Sequence, residues 1–258
     1  MTTLTQTAYV TGRHLRFFFR QPWLIGMSLT QPVIWLLLFG ALFKSVTDIP
    51  GFAGAGNYLT YLMPGVLIMT AMFGCGWSGM QIVQDLDRSI MDRLLTTPIH
   101  RSAIIVGLNL YEIVSLLIEA VIIGGMALLL GARFDGGVLG FAVLTLCAVL
   151  IGAIAAALSD AMALTVRQGE SVIGINTLMT LPLTFLSAAF MPLNLAPDWI
   201  ATVARFNPVN WAVEAGRAAM TEAPDWSAIL PRLAGLLVLT VLTTALATRA
   251  FSSYQRSL

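Results

Sequence analysis

Residues 138–163 read VLGFAVLTLCAVLIGAIAAALSDAMA, a run with a single charged residue, Asp160. As a helix rising 1.5 Å per residue, such a run crosses the roughly 30 Å of hydrocarbon in a bilayer. The rest of the chain agrees. Only 10% of its 258 residues are charged, against about a quarter in a soluble domain, and 57% are apolar. Mean hydropathy is +0.83. So few charges cannot clothe a soluble surface, and so apolar a chain is not disordered. The sequence describes a polytopic membrane protein.

Six stretches approach the ~20 residues a span needs: 23–43, 58–80, 103–130, 138–163, 171–191 and 228–249. With the N-terminus inside, Arg13, Arg16, Arg20, Arg88, Arg93, Arg101, Arg167, Arg249 and Arg256 fall on the inner side. Lys44, Arg133, Arg205 and Arg217 fall outside, with Arg232 near a boundary. That excess predicts both termini in the cytosol. Arg13, Arg16 and Arg20 precede an apolar run too long for a signal-peptide core, so the first span is expected to be retained.

Three segments outside the spans carry pattern. Over 3–20, Leu4, Ala8, Leu15, Phe18 and Phe19 share one helical face and the arginines the other, which predicts an interfacial helix. Residues 81–102 are the most polar stretch. Ile90, Met91, Leu94 and Leu95 recur there at helical spacing among Asp85, Asp87, Arg88, Asp92 and Arg93, and Pro98 ends the pattern. Asp85 and Asp87 suit the start of that short helix. Its mixed charges fit a docking element better than a lipid-binding helix, which would be mostly basic. Residues 192–225 are apolar but interrupted. Pro197-Asp198 starts one short helix, and Asn207-Pro208 starts another with Asn as cap and Pro in the first turn. Trp199 and Trp211 suit a membrane–water boundary, so both helices are expected to dip into the outer leaflet or lie upon it.

Most catalytic chemistry is excluded. Gly74-Cys75-Gly76-Trp77-Ser78-Gly79 spells a dinucleotide-like glycine pattern but closes a span instead of following a strand, so helix packing explains it. The only lysine, Lys44, follows Phe43 instead of glycine, so no P-loop exists. His14 and His100 stand far apart, and no paired metal ligands or nucleophile elbow occur. A net charge of +1 offers nucleic acid no basic patch. Cys75 and Cys147 lie in apolar runs, against a disulfide framework. Three carboxylates remain in or near the spans. Glu112 and Glu119 share a face of the third span, and Asp160 lies near the inner end of the fourth. Two readings stand for Glu119: it meets a cationic or hydroxylated substrate or a water path, or it holds the bundle together. Candidate partners are Asn109, Asn176, Thr180 and Thr184.

Several motifs resemble those of type-2 ABC exporter permeases. Phe185-Leu186-Ser187, Met191-Pro192, Ala196-Pro197-Asp198-Trp199-Ile200, Phe206-Asn207-Pro208 and Glu214 to Arg217 follow the order of that family's signature, with Ala188 where glycine is usual. Asp92-Arg93, Pro98 to Ala103 and Gly107 resemble the coupling helix of its daunorubicin-resistance-type members, with Ser89 replacing a glycine. Arg16 to Arg20, Gln21-Pro22, Gln31-Pro32 and Phe39-Gly40 are similar as well.

The resemblance implies a single permease domain over 1–258, all-α, with six transmembrane helices. It implies a homodimer or heterodimer of permeases working with two copies of a separate ABC ATPase, which would hold ATP and Mg. Asp85, Asp87, Arg88, Met91, Asp92, Arg93, Leu94, Leu95 and Pro98 would form the ATPase-coupling segment. Glu112, Glu119, Asn176, Thr180 and Phe185 would border the substrate path, and Met191, Pro192, Trp199, Asn207 and Pro208 the outer gate. The expected cargo is a hydrophobic or amphipathic drug or lipid, moved out across the cytoplasmic membrane. The alternatives are an intramembrane enzyme or a gradient-driven carrier using Glu112 and Glu119.

Overall fold

A computed structural model describes residues 9, 11–12, 15–16, 20, 22–45, 57–87 and 101–256. Among these, every regular element is a helix. Helix α1 (Pro22–Ile34) runs into a π turn (Trp35–Phe39) and a last turn at Gly40–Leu42. Pro32 lacks the amide that would bond four residues back, and the wider turn follows it directly. Then come α2 (Tyr58–Cys75), α3 (Ser78–Asp87), α4 (Arg101–Leu129), α5 (Gly137–Val166) and α6 (Gly169–Phe185). A 3₁₀ turn (Leu193–Leu195), α7 (Asp198–Ala204), α8 (Pro208–Ala219) and α9 (Trp226–Arg256) complete the chain.

Helix α5, the run that reads as membrane from sequence, is the hub. It packs against α2, α3, α4, α6, α8 and α9. Lipid tails are as apolar as leucine, so burial alone does not draw helices together in a membrane; close backbone approach and hydrogen bonds do. Small residues on α5 and its neighbours allow that approach. A Cβ on Gly140 would strike the backbone carbonyl of Ala219, and one on Gly152 would come within 2.9 Å of the Cys75 sulfur. Leu62, Leu67, Leu144, Ile151, Ile229 and Leu236 fill the interior. Leu237, Val238, Val241, Leu242 and Leu246 of α9 face outward, as a lipid-facing surface requires. Arg167 adopts a left-handed conformation, φ 56°, so α5 reverses into α6 across a very short turn. Asp225 opens α9: its carboxyl accepts from the Ser227 hydroxyl at 2.6 Å and amide at 3.0 Å, which holds its pKa below the usual carboxylate range.

The six expected spans are met in part. Among the described residues, four helices are long and apolar enough to cross a membrane: Tyr58–Gln84, Leu110–Leu129, Gly137–Val166 and Trp226–Phe251. The expected first span is a shorter apolar helix, Gly26–Leu42. The expected fifth, 171–191, stops at Phe185 because the carbonyls there are captured by side chains of other helices. The polar stretch 81–102 is described only at its two ends: α3 runs to Asp87, and α4 begins at Arg101. Arg88, Met91, Asp92, Arg93, Leu94, Leu95 and Pro98 lie outside the described residues, as does most of the expected helix over 3–20, of which Tyr9, Thr11, Gly12, Leu15, Arg16 and Arg20 are helical.

The tightest approach lies where α2 meets the segment after α6. A side chain at Gly65 would overlap the Ala189 carbonyl, whereas Gly125 has open space around it. Gly65→Val should cost about 1–3 kcal/mol, lowering the melting midpoint in detergent by roughly 3–10 °C. Gly125→Ala should leave the midpoint unchanged or raise it slightly. Equal midpoints for Gly65→Val and the parent chain would show that this packing is not tight.

Candidate functional site

Two arrangements stand out: a cavity beside α4, and a pinned break in the backbone after α6. Glu112 and Glu119 lie two turns apart on α4, so both point to one side. Both line a cavity of about 540 Å³. Met27, Ser28 and Gln31 of α1 form another wall, with Met69, Phe73 and Cys75 of α2, Gln81 of α3 and Thr177 of α6 completing it. Glu119 is only 7% exposed, and it shares the cavity wall with Ser28 of α1. The walls thus combine two carboxyls and several hydroxyls and amides with thioether and aromatic surface. Such a lining can accept hydrogen bonds from a polar head while covering an apolar body.

The sequence offers Asn109 on α4 and Asn176, Thr180 and Thr184 on α6 as partners of Glu119, and the cavity sets Ser28 and Gln31 of α1 beside it as well. Asn176 sits against Gly76 at the α2–α3 turn, and the Thr180 hydroxyl donates to its Oδ1 at 3.4 Å. Thr184 donates to the Thr180 carbonyl at 2.8 Å. Neither Asn176 nor Thr180 lines the cavity, because that wall takes Thr177, about 100° around α6 from Asn176. The side chain of Asn109 lies outside the described residues. Phe185 is 55% exposed and stacks on Phe190 with centroids 5.5 Å apart, away from the carboxylates. Asp160 has a structural partner. The Ser78 hydroxyl donates to its Oδ1 at 2.7 Å, and the neighbouring Ser159 hydroxyl donates to the Gly76 carbonyl at 2.6 Å. Together they fasten the turn between α2 and α3 onto α5. Gly79 lies against Ser159 there, as the small-residue reading of 74–79 anticipates.

The second arrangement forms where the chain leaves α6. Breaking a helix at membrane depth orphans carbonyls and amides, each costing several kcal/mol in hydrocarbon. Side chains from α2 and α8 take them up. The Asn207 amide donates to the carbonyls of Leu183 at 2.6 Å and Leu186 at 2.8 Å, while its Oδ1 caps α8 through the Val209 amide at 2.9 Å. Asn210 accepts from the Ala188 amide at 2.9 Å. Tyr61 and Tyr58 donate to the carbonyls of Ala188 and Phe190, both at 2.9 Å. Arg217 donates to the carbonyls of Tyr61 and Ala188 at 3.0 Å, and its guanidinium lies 3.6 Å from the Tyr61 ring centroid. The aromatic rings of Trp35, Phe39 and Phe190 pack beside this clamp.

The residues assigned to an outer gate are therefore divided. Trp199 is 60% exposed and Met191 38%, but Asn207 is 3% exposed and works as a clamp, and Pro192 is buried. Pro208 occupies the first turn of α8, as its motif predicts. Tyr58, Tyr61, Asn210 and Ser28 escape the sequence reading. Asn210, a polar residue one turn into a helix otherwise rich in small apolar residues, is the one with a usable signal.

The Asn207 geometry has a direct test. Asn207→Ala removes two donors and a cap, and should lower stability by about 2–3 kcal/mol. Asn207→Asp keeps the cap but turns an anion toward two carbonyls, so its melting midpoint should fall as well. Parent-like midpoints for both variants would remove the clamp from the account.

The signature of the ABC-2 type transporter family matches residues 5–221. The ycf38 transport permease of Porphyra purpurea is 28% identical over 216 residues, covering 81% of this chain and 71% of its own. The daunorubicin resistance ABC transporter permease protein DrrB1 of Streptomyces coeruleorubidus is 27% identical over 191 residues, covering 74% of this chain and 66% of its own. The doxorubicin resistance ABC transporter permease protein DrrC of Mycobacterium tuberculosis is 24% identical over 255 residues, covering 98% and 90%. Matched over most of its length, this multi-pass membrane chain belongs to the ABC-2 type transporter family, as a permease that carries no ATPase activity of its own and works with an ATPase subunit.

Proposed function

We propose that the chain is the membrane subunit of an ATP-driven exporter of amphipathic compounds bearing a cationic or hydroxylated head. The cavity beside α4 carries this reading: two carboxyls on one wall face thioether and aromatic surface on the others. The drug-resistance names of two relatives support the class of cargo. Two permeases pair with two ATPases, and residues 85–99 dock in a cleft on the ATPase.

The chain crosses the membrane six times with both termini in the cytosol. Helix α6 has 17 residues, roughly 26 Å at 1.5 Å each. Its shortfall against ~30 Å is within what a bilayer accommodates. Gly26–Leu42 is similar in length. The nine inner arginines set the orientation.

The test uses inside-out vesicles holding the chain and the ATPase encoded beside it. ATP should drive uptake of a fluorescent lipophilic amine. Glu119→Gln should reduce that uptake roughly tenfold or more, since a charge-assisted hydrogen bond contributes about 1.5–3 kcal/mol, and should spare an uncharged dye. Leu94→Asp should abolish stimulation of the ATPase while the chain still inserts. Uptake that needs no nucleotide, or that survives the double replacement of Glu112 and Glu119 by Gln, would reject the proposal.

A further inference from the structure

A second hollow, of about 640 Å³, opens between α7, α8 and the start of α9. It shares no lining residue with the cavity beside α4. Its walls hold two cations, Arg205 and Arg232, and two anions, Asp198 and Glu214. Trp211 lies among them. One cation and one anion are joined. Arg232 and Glu214 form an ion pair at 2.5 Å, and Arg232 also donates to the Ala228 carbonyl at 2.7 Å, which fixes its guanidinium in place. Arg205 and Asp198 are exposed. The Trp211 indole donates to the Arg205 carbonyl at 2.7 Å, and its ring lies against Gly235, where a Cβ would meet it at 3.2 Å. The ring is thus held rigidly.

The hollow sits at a membrane boundary on either orientation of the chain. Arg232 lies near the first turns of α9, a helix that is apolar for the rest of its crossing. Phe206, 80% exposed, and Trp199, 60% exposed, flank it on α7 and the turn after it. Exposed aromatic rings of this kind settle at the headgroup level.

We propose that this hollow binds a zwitterionic phosphodiester of the phosphoethanolamine type. Guanidinium groups suit phosphate oxygens, and here Arg205 and Arg232 supply them. The ammonium is met by Asp198 and Glu214 and by the face of Trp211. A purely anionic headgroup would leave both carboxylates facing its charge, and a purely cationic one both arginines. The balanced lining therefore selects a ligand carrying both signs a few ångströms apart. The proposal is independent of what the permease transports.

The experiment is native mass spectrometry of the full chain with its ATPase, exposed in detergent to equimolar phosphatidylethanolamine and phosphatidylglycerol. Retention of phosphatidylethanolamine should exceed that of phosphatidylglycerol about fivefold. Arg205→Gln and Asp198→Asn change exposed side chains, so both variants should fold, and each should lower the preference to about one. Glu214→Gln breaks the ion pair and should do so too. Soluble glycerophosphoethanolamine distinguishes the sources. If it displaces the lipid at millimolar concentration, the headgroup alone suffices; if it does not, the acyl chains contribute and the ligand is a membrane lipid. Both results support the proposed chemistry. Equal retention of the two lipids by the parent chain would overturn it, as would a preference unchanged in both Arg205→Gln and Asp198→Asn.

Discussion

In hydrocarbon, no backbone amide or carbonyl can be left to water. The organisation of this permease follows from how it meets that constraint where the chain leaves α6. Between Phe185 and Pro192 the backbone turns without a helical ladder. Asn207, Asn210, Tyr58, Tyr61 and Arg217 supply the missing partners. Each reaches from another helix, so satisfying the turn also docks α8 against α2 and α6. Part of the stretch from Phe185 to Arg217 thereby acquires a physical meaning: Asn207, Asn210 and Arg217 hold up one loop.

The clamp and the cavity lie at different levels of the same bundle. Helix α2 joins them, giving Tyr58 and Tyr61 to the clamp and Met69, Phe73 and Cys75 to the cavity wall. Helix α1 does likewise, with Ser28 and Gln31 at the cavity and Trp35 and Phe39 against Phe190. Its π turn carries the Trp35 and Phe39 rings that pack at the clamp. A shift of α1 would therefore alter both together, a coupling that a transport cycle can use.

Much of the architecture was legible in the chain itself. The starts of α7 and α8 follow directly from Pro197-Asp198 and Asn207-Pro208, because prolines and, for α8, the Asn207 cap act locally. The shared orientation of Glu112 and Glu119 follows from helical periodicity alone, which places both at one cavity. The end of α6 was not legible. Apart from Ser187, Leu186 to Phe190 are apolar, and the asparagine that takes the Leu186 carbonyl lies 21 residues beyond it. The α1 wall of the cavity was not legible for a similar reason, since Ser28 and Gln31 are far from Glu119 in sequence.

The sequence by itself determined that the chain lives in a membrane, where its long apolar helices run, which residues begin its short ones, and that it has no nucleotide loop. These depend on composition, periodicity and neighbours within one turn. Only the tertiary structure decided that α5 is the hub, that Asp160 fastens a turn while Glu112 and Glu119 face a cavity, and that Asn207 is a clamp. Those outcomes depend on which helix faces come within hydrogen-bonding distance, and that is set by packing between segments distant in the chain.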